Sequence, residues 1–456
     1  MRLGTFLFCA TLSSLAWGGD GDNARRPGEE SAAERGYRWL TTKTYLPPDF
    51  DQQVFDDLWK VWEEPSRSRA EKATPEERRK MAFSRYGLTE APGRTGGVAL
   101  QYVDDGRGGW VMNCFACHGG KVAGRVIPGA PNTLYALQTL TDDVRATKLR
   151  LGKTLSHMDL GGAAMPLGTT IGTTNAVIFG IVLLTYRDAD LNVHRDRFPP
   201  TLLHHDHDAP PWWNIKKKGY LYADGGVLKS HRALMQFLLL PKNGPEKFRQ
   251  WEGDYRDVLA WIESLEAPKY PFEIDRPLAR RGERPFVEHC SECHGTYGVN
   301  GSYPERNVPI DVVGTDRARY DSIPASWRDN YSATWFGHYG EKAVKHDLPG
   351  YVAPPLDGIW ASPPYLHNGS VPTLWHLFYP DRRPAVWTRS EDGYDTEKVG
   401  LEITAFDEVP QQARHGAARR RYFDTREFGK SAAGHHFPEA LNDDEKRAVL
   451  EYLKTL

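Results

Sequence analysis

Two short stretches constrain this chain more than anything else in it: Cys114-Phe115-Ala116-Cys117-His118 and Cys290-Ser291-Glu292-Cys293-His294. They share one spacing, and a glycine follows each (Gly119, Gly295). Two thiols three positions apart project to one side of a helical turn, with an imidazole offered directly after them. That arrangement suits two thioethers and one proximal iron ligand around a single haem, the c-type attachment pattern. A zinc site would need four converging ligands, and each unit packs only three. A redox dithiol has no use for the repeated His. The chain holds five cysteines in 456 residues, and four of them sit in these two units. Two covalently bound haem c groups are therefore expected. Cys114, Cys117 and His118 would hold one, and Cys290, Cys293 and His294 the other, with His118 and His294 on iron.

The fifth cysteine, Cys9, lies in an apolar N-terminal run. Residues 1–18 read as a signal peptide, with Arg2 as a minimal positive start and Ala16 and Gly18 as the small residues before cleavage. The run is shorter than the ~20 residues that span a bilayer. The expectation is an exported, periplasmic protein with no integral span in its mature chain. Lys plus Arg number 58 against 60 for Asp plus Glu, which leaves no basic excess for nucleic acid. Glycine (43) and proline (32) favour a loop-rich fold.

One design occurs twice. Ala209-Pro210-Pro211-Trp212-Trp213-Asn214-Ile215 resembles Ala353-Pro354-Pro355-Leu356-Asp357-Gly358-Ile359, 144 residues later. At the same offset Asp224-Gly225-Gly226-Val227 falls on Asn368-Gly369-Ser370-Val371. An apolar helix closes each half: Tyr255, Val258, Leu259, Ile262 and Leu265 recur at helical spacing, as do Val449, Leu450, Leu453 and Leu456. Asn442 and Glu445 form a capping box before the second of these helices. Asp275 and Pro277 start a helix that leads to Cys290, and Pro285 should shorten or kink it. The fold class expected is mainly α: two tandem cytochrome-c-like haem domains with long loops and few short strands. The segments are 1–18 (leader), 19–100 (an irregular N-terminal wrapping arm), 101–268 (first haem domain) and 275–456 (second haem domain).

At the second repeat a family becomes recognisable. Tyr351 to Trp360 leads into Pro363-Pro364-Tyr365-Leu366-His367-Asn368-Gly369-Ser370-Val371-Pro372-Thr373-Leu374. This resembles the bacterial di-haem cytochrome c peroxidase superfamily, which also holds the rubber oxygenases. The Gly434-His435-His436-Phe437 stretch looks most like that rubber-oxygenase branch. The resemblance covers residues 100–450 and is thin before them.

The resemblance implies a periplasmic di-haem oxidoreductase. The His118 haem would activate peroxide or oxygen, and the His294 haem would relay electrons from a small redox donor protein. A non-catalytic di-haem electron-transfer protein is the alternative. Gln236 and Glu246 match the distal residues of the superfamily's peroxidases, where a carboxylate beside bound peroxide serves as base and then acid. Phe237 would form an apolar wall of that pocket. An aromatic residue usually stands just before the Asp-Gly; Ala223 stands there instead, which leaves Tyr222, Trp212 and Trp213 as relay candidates. Asp381 occupies the place of the peroxidases' second-haem Met, and no Met follows Met235. His435 is the first candidate for the sixth ligand, ahead of Tyr379, His376 and His436. His367 would pack beside a haem and bond a propionate. The resemblance leaves a calcium ion between the domains open. The cluster His204-His205-Asp206-His207-Asp208 reads as a polar loop, and Lys216-Lys217-Lys218 as a solvated turn.

Overall fold

A computed structural model describes residues 29–456 apart from 94–95, 199–202, 343 and 346, so the expected leader lies outside the described residues. Helix α1 (Ala32–Thr42) comes first, followed by α2 (Pro75–Tyr86), which a Thr74–Glu77 capping box starts and left-handed Gly87 ends. Between and after them β1 (Phe50–Asp51), β2 (Tyr102–Asp104) and β3 (Gly109–Met112) form an antiparallel sheet in the order β1-β3-β2. Strand β3 runs straight into the first Cys-x-x-Cys-His unit. Helices α3 (Leu137–Leu151), α4 (His157–Ala164) and α5 (Ala176–Thr185) follow, and α6 (Pro245–Ser264) closes the first half. Helix α7 (Arg276–His289) opens the second half and α8 (Asp443–Leu453) ends it. Strands β4 (Val386–Asp395), β5 (Gly400–Phe406) and β6 (Phe423–Asp424) form a second sheet. Its long β4–β5 ribbon departs from the expectation of short strands alone.

Two helix crossings build the halves in the same way. Helix α7 lies so close to α8 that a Cβ on Gly282 would stand 2.0 Å from the Ala448 carbonyl oxygen. Helix α1 meets α6 at Gly36, where a Cβ would stand 2.1 Å from the Asp257 carbonyl oxygen. Only a residue without a side chain lets the backbones approach this far. Arg35 then holds Asp257 through a two-pronged ion pair at 2.8 Å. The stretch expected to be an irregular arm is therefore helical over much of its described part. Its α1 is the counterpart of α7, so a boundary at 100/101 would cut through a packed unit. The signal was available: Gly36 with Leu40 four positions on matches Gly282 with Phe286.

Asp275 caps α7 by accepting the Leu278 N–H at 2.9 Å, and Asn442 and Glu445 form the capping box at the start of α8. Pro285 does not shorten α7, which continues to His289 with Pro285 buried.

Residues 32–456 form one compact unit, not two separable bodies. Trp213 and Val122 of the first half lie in the core of the second, with Leu356, Trp360, Phe286 and Tyr452. In return Trp327, Tyr331, Trp335 and Phe336 pack into the core of the first half. Such interlocking removes the thin, exposed linker at which domains separate.

The crossing gives a prediction. Gly282→Val is expected to cost stability at the upper end of the ~1–3 kcal/mol that overpacking takes, because the obstructing atom is backbone. Gly253→Ala on α6, where an added Cβ meets nothing within 4 Å, should be neutral or stabilising by up to ~1 kcal/mol. Guanidinium melts of the two variants check the contrast.

Candidate haem sites

Each Cys-x-x-Cys-His unit is a single helical turn, Phe115–His118 and Ser291–His294. In both, the repeat found in the sequence supplies the next contact. His118 Nδ1 lies 3.1 Å from the Pro210 carbonyl oxygen, and His294 Nδ1 lies 2.8 Å from that of Pro354. With the proton on Nδ1, each ring donates to a fixed carbonyl and leaves Nε2 as a free donor atom. That is how a protein orients a metal-ligating His. Burial pushes the His118 imidazole down to about 3, against the opposing pull of the Pro210 carbonyl, which keeps the ring neutral. The Trp212 ring stacks on His118 with centroids 4.3 Å apart.

The thiols do not resemble a redox pair. Burial pushes Cys114 up to about 12, Cys117 to about 11 and Cys290 to about 12. A reactive dithiol is held low instead. Among the described residues no three His, Cys, Asp or Glu side chains converge on one point.

His435 faces His294 across 6.2 Å between ring centroids. An ion bonded to one nitrogen of each ring at about 2 Å holds two such centroids roughly 6 Å apart. His435 occupies this place with left-handed backbone (φ 53°), fixed by its N–H to the Val313 carbonyl. Burial first, then the neighbouring His294, hold its imidazole down to about 3. Of the other candidates, the Tyr379 hydroxyl donates to Asp443, exposed His436 leans on Glu439, and the His376 ring packs on Trp375 with its Nδ1 2.7 Å from Thr373 Oγ1.

Between the halves lies a buried polar cluster. Asp224 Oδ2 takes an ion pair at 3.3 Å from each of Arg319 and Arg328. Arg319 also lies over the Tyr222 ring at 5.5 Å, and Tyr222 has positive φ like Leu366, its counterpart in the second repeat. His205 and His207 cross at 4.6 Å, and His367 packs on Tyr351 at 4.3 Å. Arg319 Nη1 and both ring nitrogens of His207 are buried without a partner. Unpaired N–H groups at this depth are costly and suit a buried carboxylate, which each haem carries. The polar-loop expectation for 204–208 is corrected: His205, Asp206 and His207 are buried. Lys217 is an inter-repeat tie to Asp357 rather than a free turn.

The distal expectations are corrected in part. Gln236 is buried at 3% exposure with its Nε2 unpartnered. Glu246, however, is exposed in the first turn of α6, so it is not an enclosed acid–base group. Phe237 is 42% exposed rather than the wall of a closed pocket. No structural bond joins Gln236 to Glu246 among the described residues.

Residues 350–388, which contain Pro354 and His367, match a family described as RoxA-like, cytochrome c-like. An uncharacterized protein, y4iM, of Sinorhizobium fredii (strain NBRC 101917 / NGR234) is 28% identical over 287 residues, 54% of this chain and 64% of its own. A second, y4iJ, of the same organism is 29% identical over 258 residues, 42% of this chain and 41% of its own. The chain thus covers less than two thirds of either relative. The matched segment is similar to a cytochrome c domain of the rubber-oxygenase kind, a domain type that implies haem c binding.

Proposed function

We propose that the chain is an exported di-haem c-type cytochrome of the di-haem peroxidase superfamily, with one haem on Cys114, Cys117 and His118 and one on Cys290, Cys293 and His294. The observation that carries this reading is the pair of His Nδ1 contacts to Pro210 and Pro354, the same bond at the same place in both repeats. When bound, the haems supply one-electron chemistry. The rest is the work of the chain. Pro210 and Pro354 would hold the imidazoles in one tautomer, and His435 would be a second iron ligand at the His294 site. Arg319, His207 and His367 would offer N–H groups to the haem carboxylates. Phe286, Leu374 and Trp360 exclude water around the second site.

In the enzymatic reading the His118 site takes peroxide or oxygen. Gln236 Nε2, buried and unpaired, would donate to that ligand. A small redox protein would deliver electrons to the His294 site. The second reading, pure electron transfer, is favoured by one observation: the exposed Glu246 leaves the first site without its expected acid–base carboxylate.

The pyridine haemochrome assay tests the assignment. The chain made in a host that matures c-type cytochromes should carry two haems. The Cys114→Ser/Cys117→Ser and Cys290→Ser/Cys293→Ser proteins should each carry one. Retention of two in either variant contradicts it. Peroxide or oxygen consumption that falls at least tenfold in Gln236→Leu supports the enzyme; no consumption by the intact two-haem protein favours the electron carrier.

A further inference from the structure

A chain of aromatic rings runs from the first Cys-x-x-Cys-His unit to the outer face of the first half. Trp212 stacks on the His118 ring with centroids 4.3 Å apart and planes inclined by 22°. Trp261 of α6 meets Trp212 edge-on at 5.7 Å. Tyr37 of α1 meets Trp261 at 5.3 Å. Phe115, inside the unit itself, fills the space among them, 6.0 Å from Trp212, 5.5 Å from Trp261 and 5.9 Å from Tyr37. All these separations fall within the ~4.5–7 Å of paired aromatic rings, so each step is a direct ring contact. Trp212, Trp261 and Phe115 are buried, and Tyr37 is partly exposed.

The backbone holds the chain together at both ends. The Trp212 N–H donates to the Gly129 carbonyl at 2.8 Å, and the Gly129 N–H donates to the His118 carbonyl at 2.7 Å. Trp212 is thereby tied to the residue on which it stacks. At the other end, a Cβ on Gly36 would stand 2.9 Å from Trp261 Cβ. The bare glycine brings α1 close enough for Tyr37 to reach Trp261.

Packing alone does not account for these residues, because the second half builds the same frame with others. Leu356 is the counterpart of Trp212, and Ser291 that of Phe115. At the helix crossing, Glu283 follows Gly282 where Tyr37 follows Gly36. Trp261 does have an aromatic counterpart on α8, Tyr452, but that ring pairs with Phe286 at 5.1 Å. The ring facing His294 is that of His435. The aromatic route from the His ring outward is thus a property of the first unit.

We propose that Trp212, Trp261 and Tyr37 form an electron route between the His118 site and the surface of α1, and that small phenols are oxidised at Tyr37. One electron passes from Tyr37 through Trp261 and Trp212 to the His118 site. The Tyr37 hydroxyl releases its proton to solvent, which leaves a neutral tyrosyl radical. A phenol at the surface then returns one electron and one proton to Tyr37 and departs as a phenoxyl radical. Two such passes supply the two electrons, and solvent returns the two protons, so that two phenols and one hydrogen peroxide become two phenoxyl radicals and two waters. The inference rests on the enzymatic reading, in which the His118 site takes peroxide.

The test uses the two-haem protein and its Tyr37→Phe, Trp261→Phe and Trp212→Phe variants, with hydrogen peroxide as oxidant and guaiacol as the phenol. Haem content and peroxide consumption are measured first. A wild type that consumes no peroxide overturns the enzymatic reading and this inference with it. Freeze-quenched electron paramagnetic resonance without guaiacol then reads the radical. The wild type should show a tyrosyl signal, which added guaiacol removes as it is oxidised. Tyr37→Phe should lose that signal and leave a tryptophanyl one. Trp212→Phe and Trp261→Phe should lose the tyrosyl signal although each keeps an aromatic ring in place, which a merely structural role would not require. A wild type that consumes peroxide without a tyrosyl signal, a tyrosyl signal that survives Tyr37→Phe or is unaltered in either tryptophan variant, or one that guaiacol leaves standing overturns this inference alone. Should Trp212→Phe lose its first haem, Trp261→Phe and Tyr37→Phe decide.

Discussion

In the His435→Ala protein the second haem is expected to lose its low-spin ferric spectrum and gain a high-spin one. Its midpoint potential should rise, because a second imidazole favours ferric iron and that preference would be gone. The expectation follows from geometry. The His294 and His435 centroids are 6.2 Å apart, the separation that two nitrogens sharing one iron impose. Of the four candidates, His435 is the one whose ring lies against His294, while His376 and Tyr379 pack on Trp375. The first haem should be unaffected, so electron paramagnetic resonance of the oxidised protein should lose one low-spin signal only. Unchanged low-spin signals in His435→Ala would place the ligand elsewhere.

The second large effect is on stability. Asp224→Ala should destabilise the protein by about 3–5 kcal/mol, the usual cost of stripping one partner from a buried charge network. Asp224, Arg319 and Arg328 are all buried, and removing the carboxylate leaves two guanidinium groups facing each other. Burial alone would raise the Asp224 carboxyl, but Arg319 and Arg328 outweigh it, so its pKa ends below the usual value. For a carboxyl lowered by folding, the contribution is complete above the ordinary carboxylate range. It is lost as pH falls through the folded value. The gap between wild type and Asp224→Asn in guanidinium midpoint should therefore be full near pH 7 and shrink in acid. A gap that is small at pH 7 contradicts this account of the cluster.

The two Cys-x-x-Cys-His units and their proline partners are plain in the sequence and the distal surroundings are not, for a physical reason. Cys-x-x-Cys-His, Pro210/Pro354 and the capping box at Asn442 are local patterns, in which spacing alone fixes what each residue faces. His435 became a candidate through resemblance, and the fold places it opposite His294 from 141 positions away. Glu246 shows the opposite outcome. Its spacing from Gln236 fits a distal pair, yet exposure of the first turn of α6 decides its environment, and spacing carries no information on exposure. The interlocked cores were invisible for the same kind of reason. Trp213 reads as part of the first repeat, but its indole N–H donates to the Asp357 carbonyl and its ring fills the second half. The crossing at Gly36 was legible but lay in a stretch too charged to suggest a haem domain. The 204–208 cluster reads as polar punctuation, and only tertiary packing buries it beside Arg319.

The central claim is that one haem-binding design occurs twice and that both copies are filled covalently. Intact mass spectrometry of the purified, denatured protein from a host that matures c-type cytochromes tests it most directly. The account predicts a single species carrying the mass of two haems that denaturant does not remove, and one fewer in each double-serine variant. A chain with no covalent haem, or with one that either double-serine variant leaves in place, would contradict it.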